Sequence, residues 1–442
     1  MLGISKDEGV LLVDDPSDAD TLVVNTCGFI EAAKEESVDT ILDLARIKNE
    51  DPETPKKLVV TGCLSQRHSD ALAIEIPEVD HFLGSADMLG LRAVLRGQGK
   101  RISVSKLDRR AYLYDHDAPR QTYGSPHAQF VKIAEGCDRP CAFCIIPKLR
   151  GPQRSRTVES LVRETEQLVE AGTKEIALIA QDLTTYGSDL RGRNLPESDL
   201  VMLLDRLGEI RGLTWIRLHY AYPTTTTPAL IERIAEHPKI ASYLDVPLQH
   251  IDTGVLKRMR RGYTEKSVRE LVERLRTAKN HIWLRTTMLV GHPGEDQAAY
   301  ERLRDFVAEG EIDHLGVFPW SREEGTAAAM LPSRVDQEQA DTRAAELMQI
   351  QAENRDAKHR SMLGQELDVM IDGESEESEF LLDGRHQGQA REIDGKVILC
   401  DGTGAPGTLV RARIIQSSTH DLVCSMDLER SPDDPNDLDD ED

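Results

Sequence analysis

Cys137, Cys141 and Cys144 stand with three and then two residues between them in the stretch AEGCDRPCAFCIIP. Three thiolates can face one point from that spacing only if the backbone turns tightly, and Gly136 and Pro140 suit such a turn. Three sulfurs fill three corners of a four-iron cluster. The fourth iron is then open to a small molecule, as the open position of a catalytic metal centre is. The competing reading is a zinc knuckle. Zinc would recruit a fourth Cys or His at short spacing, and no His lies between 137 and 156.

Two further cysteines end apolar runs: Cys27 closes TLVVNTC and Cys63 closes LVVTGC. Both are expected where a parallel strand meets its loop, the edge at which open α/β sheets place ligands. A lone buried Cys is more often a small hydrophobe, and Cys400 and Cys424 are read that way. Other candidates sit at the ends of strand-like runs. Gln181-Asp182 follows EIALIA, and Gln249-His250 closes LDVPLQH. Each pair could serve a ligand or merely satisfy loop backbone. Gly291-His292-Pro293-Gly294-Glu295 would let backbone approach a ligand at a strand-to-helix junction, although a plain tight turn with an exposed His292 fits the same residues. Arg285, inside an apolar strand, needs an acidic partner from substrate or protein. Arg150, Arg154 and Arg156 form a basic patch, either a solvated loop or a contact to an acidic substrate or a neighbouring domain.

The elements that must position these residues fall into several domains, since 442 residues exceed one core. The expected boundaries are 1–110, 124–355 and 362–430, with a disordered acidic tail over 431–442. In the first, a strand at 21–27 precedes an amphipathic helix from about 30 to 47, with Ala32, Ala33, Val38, Ile41, Leu42 and Leu44 inward. In the second, six strand runs alternate with helices, which predicts a parallel sheet curled into a partial (β/α)6 TIM-like barrel, with functional residues on the loops after the strands. A long exposed helix over 335–360 is expected to leave that barrel. Beyond Gly364, short strand runs (LDVMI, VILC, LVRARII, LVCSM) between DG, GTG and PG turns predict a small antiparallel β-barrel.

Charge and composition bound the partners. The net charge is −24, and from Leu363 to Asp442 six Lys or Arg face 21 Asp or Glu, a net of −15. Gripping a nucleic-acid backbone needs the opposite sign. The seven cysteines, three of them within eight residues, fit metal ligation in a reducing compartment. Neither a membrane span nor a secretion signal is apparent, so a cytoplasmic location is expected.

The cysteine loop resembles the cluster motif of the radical S-adenosylmethionine (SAM) enzymes. The whole chain resembles the methylthiotransferases, through VNTCGFIE, TGCLSQR, AEGCDRPCAFCIIP, RGPQRSR, AQDLTTYG, HYAYP, DVPLQH, RRG, VGHPGE and SREEGTAAA. The closer match is to the type that modifies small-subunit ribosomal protein S-twelve. The resemblance implies a methylthiotransferase domain, a radical SAM core and a TRAM-like barrel. It implies that Cys137, Cys141 and Cys144 hold a [4Fe-4S] cluster that binds SAM, and that sulfur and a methyl group are added at the β-carbon of an aspartate, giving 3-methylthioaspartate. Phe143, Gln181, Gln249, Arg285, Gly291, Pro293 and Gly294 are the candidate SAM contacts. Cys27 and Cys63 match two of three ligands of a second [4Fe-4S] cluster; the third would lie upstream of Met1, and a start upstream is expected. A flavodoxin or ferredoxin would supply electrons. The alternatives are a tRNA adenosine methylthiotransferase, expected to carry a basic terminal barrel, and a non-catalytic iron-sulfur or zinc protein that binds ribosomes.

Overall fold

The structure is a computed structural model, and it describes residues 1–50, 55–122, 124–190, 199–332 and 335–432. Two compact units result. The first comprises Met1–Tyr123, Ala134–Leu161 and Ser321–Met330. Its sheet has the strands Thr21–Thr26, Lys57–Gly62, His81–Leu83 and Ile102–Ser103 in that order, all parallel. Leu22, Val24, Leu58 and Val60 alternate inward against Ile41, Ala45 and Phe82. The helix Glu31–Glu50 covers this face, yet its buried residues are Ser37, Ile41 and Ala45. Ala32 and Leu42, expected inward, are exposed. The helix is turned because Ser37 is needed below: its hydroxyl bonds the N–H of Cys27 at 3.1 Å and the carbonyl of Cys27 at 3.2 Å.

The second unit comprises Gly124–Ile133, Val162–Trp320 and Leu331–Asp442. Its larger sheet holds the six expected strands in sequence order from the edge: Ala128–Lys132, Glu175–Ile179, Trp215–Leu218, Ile240–Asp245, Trp283–Val290 and His314–Pro319. All are parallel. Helices such as Val158–Glu170 and Glu265–Arg276 link successive strands, the crossover connection that parallel neighbours need. The helix Gln337–Ser361 does not leave this domain. It buries Ala340, Arg343, Ala344, Leu347 and Gln351, and Gln351 donates to the carbonyls of Ile312 and Asp313 at 3.1 Å each. Its polar composition hid a buried face whose contacts are themselves polar.

The C-terminal strands close a five-stranded barrel. A strand not expected, Leu382–His386, completes it; its sequence LDGRH reads as a turn because Asp and Gly are poor strand formers. Closure is also not purely antiparallel, since Val397–Leu399 pairs in parallel with Leu422–Ser425. Val369, Ile371, Val397, Leu399, Ala412, Ile414, Leu422 and Cys424 fill its core, so Cys424 is the apolar filler expected. Most of the expected tail lies outside the described residues.

Buried charge ties the barrel to the large sheet. The Arg385 guanidinium bonds Glu175 at 2.8 Å and Asp372 at 2.6 Å, His127 meets Asp372 at 2.9 Å, and Arg217 meets Glu175 at 2.7 Å. Burial disfavours the Glu175 carboxylate, but the two guanidiniums outweigh it and hold it charged. Removing one partner of such a pair strands the other without compensation. Arg385→Met is therefore expected to cost about 3–5 kcal/mol in chemical denaturation; a cost below about 1 kcal/mol would refute the network's role.

Candidate functional site

In the first unit the cysteine loop is stapled at its base. Ala134–Glu135 pairs antiparallel with Arg154–Ser155, and the Cys137 N–H reaches the carbonyl of Gly151 at 3.1 Å. Gly136 sits at φ 84° with the carbonyl of Pro152 2.4 Å from where a Cβ would be, so no side chain is tolerated there. Backbone N–H groups point at sulfur: Arg139 N–H lies 3.4 Å from Cys137 Sγ and Ile146 N–H 3.5 Å from Cys144 Sγ. Such donors favour thiolate sulfur and tune a cluster's potential. The bond from Ala328 N–H to the Ala142 carbonyl, 2.8 Å, fixes the loop's middle. Cys137 is buried and Cys141, Phe143 and Cys144 are half-buried, so the loop fits a cluster that is enclosed on one side and open on another.

Cys27 and Cys63 come together in the same unit. Thr26 and Gly62 are register partners, which puts the two cysteines at adjacent strand ends. Close backbone approach makes this possible. A Cβ on Gly28 would lie 3.0 Å from Cys63 carbon, and one on Gly62, at φ 103°, would lie 2.5 Å from the Thr26 carbonyl. No loop follows the second strand, since Cys63 opens the helix Cys63–Glu75 directly. Burial pushes the Cys63 thiol up, while the Arg150 guanidinium, bonded to it, pulls it back. Arg150 also faces Glu135 at 3.5 Å. The Arg150, Arg154 and Arg156 set is thus not a solvated patch. Arg154 and Arg156 are buried, Arg154 on the carbonyls of Arg150 and Pro152, and Arg156 on Ser160 and the Tyr114 ring.

The other candidates belong to the second unit. Gly291, Pro293 and Gly294 form a turn after the strand Trp283–Val290, with φ 75° and 89° at the two glycines. The turn is built around Glu295, whose oxygens both take the Gly291 N–H at 3.1 Å and which is held by Arg343 and by His250 at 3.3 Å. Its part in the sequence was hidden, because Glu295 reads as an ordinary first-turn residue. His292 is buried, not exposed, and its ring meets Trp320 edge to face at 6.1 Å; burial lowers its pKa to about 4. Gln249 adopts φ 68° and is clamped by backbone bonds of 2.8 Å to Thr287 and Leu289. Gln181 lies two residues beyond the strand Glu175–Ile179, and the following Asp182 caps the turn Leu183–Thr185. Arg285 finds its acidic partner within the protein, Asp394 at 2.7 Å.

Three protein-family descriptions match: the radical SAM superfamily over residues 131–307, the uncharacterized protein family UPF0004 over 1–84, and the TRAM domain over 363–426. A ribosomal protein uS12 methylthiotransferase RimO of Sorangium cellulosum is 45% identical over 96% of this chain and 86% of its own length. One from Anaeromyxobacter sp. strain Fw109-5 is 47% identical over 96% and 88%. This chain belongs to the uS12 methylthiotransferase RimO family. As a radical SAM protein its family implies a [4Fe-4S] cluster and SAM, and the RimO type implies a second cluster. The solved structure of a radical SAM methyltransferase, TsrM, from Kitasatospora setae shares the fold at TM-score 0.50 and 16% identity, over 70% of this chain and 65% of that one.

Two buried acids near the strand ends were not singled out in the sequence, Asp245 and Asp394. Burial pushes the Asp245 carboxyl up to about 6 despite the pull of Arg285 and of the Tyr220 N–H bonded to it. The folded chain then binds more protons than the unfolded one between the ordinary value of 3.8 and about 6, so this group's contribution falls as pH rises through that window. In Asp245→Asn the loss is expected to vanish: the variant's melting temperature should gain on the wild type as pH rises from about 4 to about 6. A constant difference across that range would refute the assignment.

Proposed function

We infer that this chain is a radical SAM methylthiotransferase that adds a methylthio group at the β-carbon of an aspartate in ribosomal protein uS12. The supporting observation is the thiolate loop itself, three cysteines on a stapled backbone with N–H groups aimed at sulfur, in a chain of the RimO family. A [4Fe-4S] cluster held by Cys137, Cys141 and Cys144 would supply the electron that cleaves SAM reductively and so the radical that removes the substrate hydrogen. Phe143, Gln181, Gln249, Gly291, Pro293 and Gly294 are the proposed SAM contacts; the Glu295-locked turn offers backbone at a strand end, where such a ligand binds. Arg285 is assigned to anchoring through Asp394 instead of to SAM.

Cys27 and Cys63 are proposed as ligands of the second cluster, where Arg150 would offset the charge of its sulfurs. A second SAM would donate the methyl group, and a flavodoxin or ferredoxin the electrons. The location consistent with this chemistry is the cytoplasm; among the described residues no helix is long and apolar enough to cross a membrane. The sign of the terminal barrel favours a basic protein over tRNA as partner. Its Arg411 and Arg413 are already paired with Glu366 and Asp368, which leaves the acidic surplus uncompensated and unsuited to phosphate.

Anaerobically reconstituted protein, given SAM and dithionite, is expected to raise the mass of uS12 by one methylthio group on an aspartate and to leave tRNA unchanged. Label in tRNA alone would overturn the reading. Ser37→Ala removes the hydroxyl that fixes the Cys27 backbone. It is expected to lower bound iron while leaving the iron held by Cys137, Cys141 and Cys144; unchanged total iron would contradict the placement of Cys27.

A further inference from the structure

A cavity of about 290 Å³ in the second unit is lined by Phe130, Lys132, Gln181, His219, Tyr220 and, from the C-terminal barrel, Ile393. The strand-end residues are what a parallel sheet would be expected to offer a ligand. Ile393 is not. It lies between the strands Leu382–His386 and Val397–Leu399 of a different domain, yet 43% of it remains exposed.

The segment that carries Ile393 is rigidly held. Asp394, next in the chain, accepts from Arg285 at 2.7 Å, from the Tyr243 hydroxyl at 3.0 Å and from the Ala390 N–H at 2.8 Å, and its side chain is 1% exposed. On the other side Glu392 is forced to φ 62°, a conformation that costs a non-glycine residue and persists where the surroundings over-determine it. Tyr220, across the cavity, is strained alike at φ 62°, with the Asp245 carboxylate taking its N–H. The strained Tyr220 backbone is part of the cavity wall, and the strain at Glu392 sits in the segment that carries Ile393.

The wall's chemistry selects its occupant. Phe130 and Ile393 present apolar surface, Lys132 supplies a cation, and burial keeps His219 neutral, its pKa lowered to about 4. A carboxylate on a short aliphatic stem matches that set, while a nucleobase would have no use for the cation. We propose that Ile393 is a specificity-determining residue that packs against the β-methylene of the substrate aspartyl residue, with Lys132 as the counter-charge of its carboxylate. The inference rests on the reading given under Proposed function. It assigns the C-terminal barrel a share in the reaction cavity beyond any role in docking the partner.

The test uses the reconstituted full chain with intact uS12, and measures 5'-deoxyadenosine and methylthiolated uS12 in the same tubes, with SAM affinity and melting temperature alongside. Ile393→Trp fills the cavity and is expected to raise the ratio of 5'-deoxyadenosine to product about tenfold or more. Ile393→Ala, which cannot overpack, is expected to raise it about threefold. Lys132→Met is expected to raise KM for uS12 about tenfold with a smaller change in kcat, and Lys132→Arg to recover most of it. Simple destabilisation lowers both products alike and leaves their ratio unmoved. A wild-type ratio in both Ile393 variants together with a wild-type KM in Lys132→Met would overturn the proposal, as would loss of SAM binding in Ile393→Ala, which would hand the cavity to the cofactor. If wild-type protein forms 5'-deoxyadenosine but never methylthiolates uS12, the underlying reading fails and this one with it.

Discussion

The tight backbone turn that brings Cys137, Cys141 and Cys144 together within eight residues is the constraint on which the site in the first unit depends. Backbone geometry holds that turn. The two-residue ladder of Ala134–Glu135 with Arg154–Ser155 closes the loop, Gly136 gives the sharp entry, and N–H groups of Arg139 and Ile146 turn toward sulfur. Backbone donors cannot titrate away or swing aside, so the field at the sulfurs is set by the fold. At the Cys27 and Cys63 site the Arg150 guanidinium lies against Cys63, with Glu135 balancing it.

The second unit shows a complementary economy of charge. Its sheet and barrel are joined through Glu175, Arg217, Arg385, Asp372 and His127, and again through Arg285 and Asp394. Hydrophobic packing alone would allow the barrel to slide, because apolar contacts are non-directional. Hydrogen-bonded ion pairs are directional, so Arg285 on Asp394 fixes where the 390–394 segment lies. Helix Gln337–Ser361 contributes in the same manner, with Arg343 reaching Glu295 and thereby the Gly291 turn. Stability and the placement of site residues therefore depend on the same few buried ions.

What was legible in the sequence follows from which signals are local. The Cys137, Cys141 and Cys144 spacing, the six strand runs and the helix Glu265–Arg276 are read from neighbouring residues, and the structure has them. The inward face of helix Glu31–Glu50 was misread because Ser37, a polar residue, is drawn inside by the backbone of Cys27. The partner of Arg285 could be stated only as some carboxylate; Asp394 is 109 residues away. Glu295, His250 and Arg343 are likewise one assembly scattered over nearly a hundred positions, invisible to periodicity. Strand Leu382–His386 was missed since pairing on both sides overrides the poor propensity of its Asp and Gly.

The central claim is that one vacant iron corner, left by three sulfurs, is where SAM is cleaved. The most direct measurement is electron paramagnetic resonance of the reduced, reconstituted chain with and without SAM, compared with a variant carrying serine at positions 137, 141 and 144. The account predicts that SAM shifts one reduced-cluster signal in the wild type, and that the variant loses that signal together with 5'-deoxyadenosine release. Retention of the SAM-sensitive signal in the variant would contradict it.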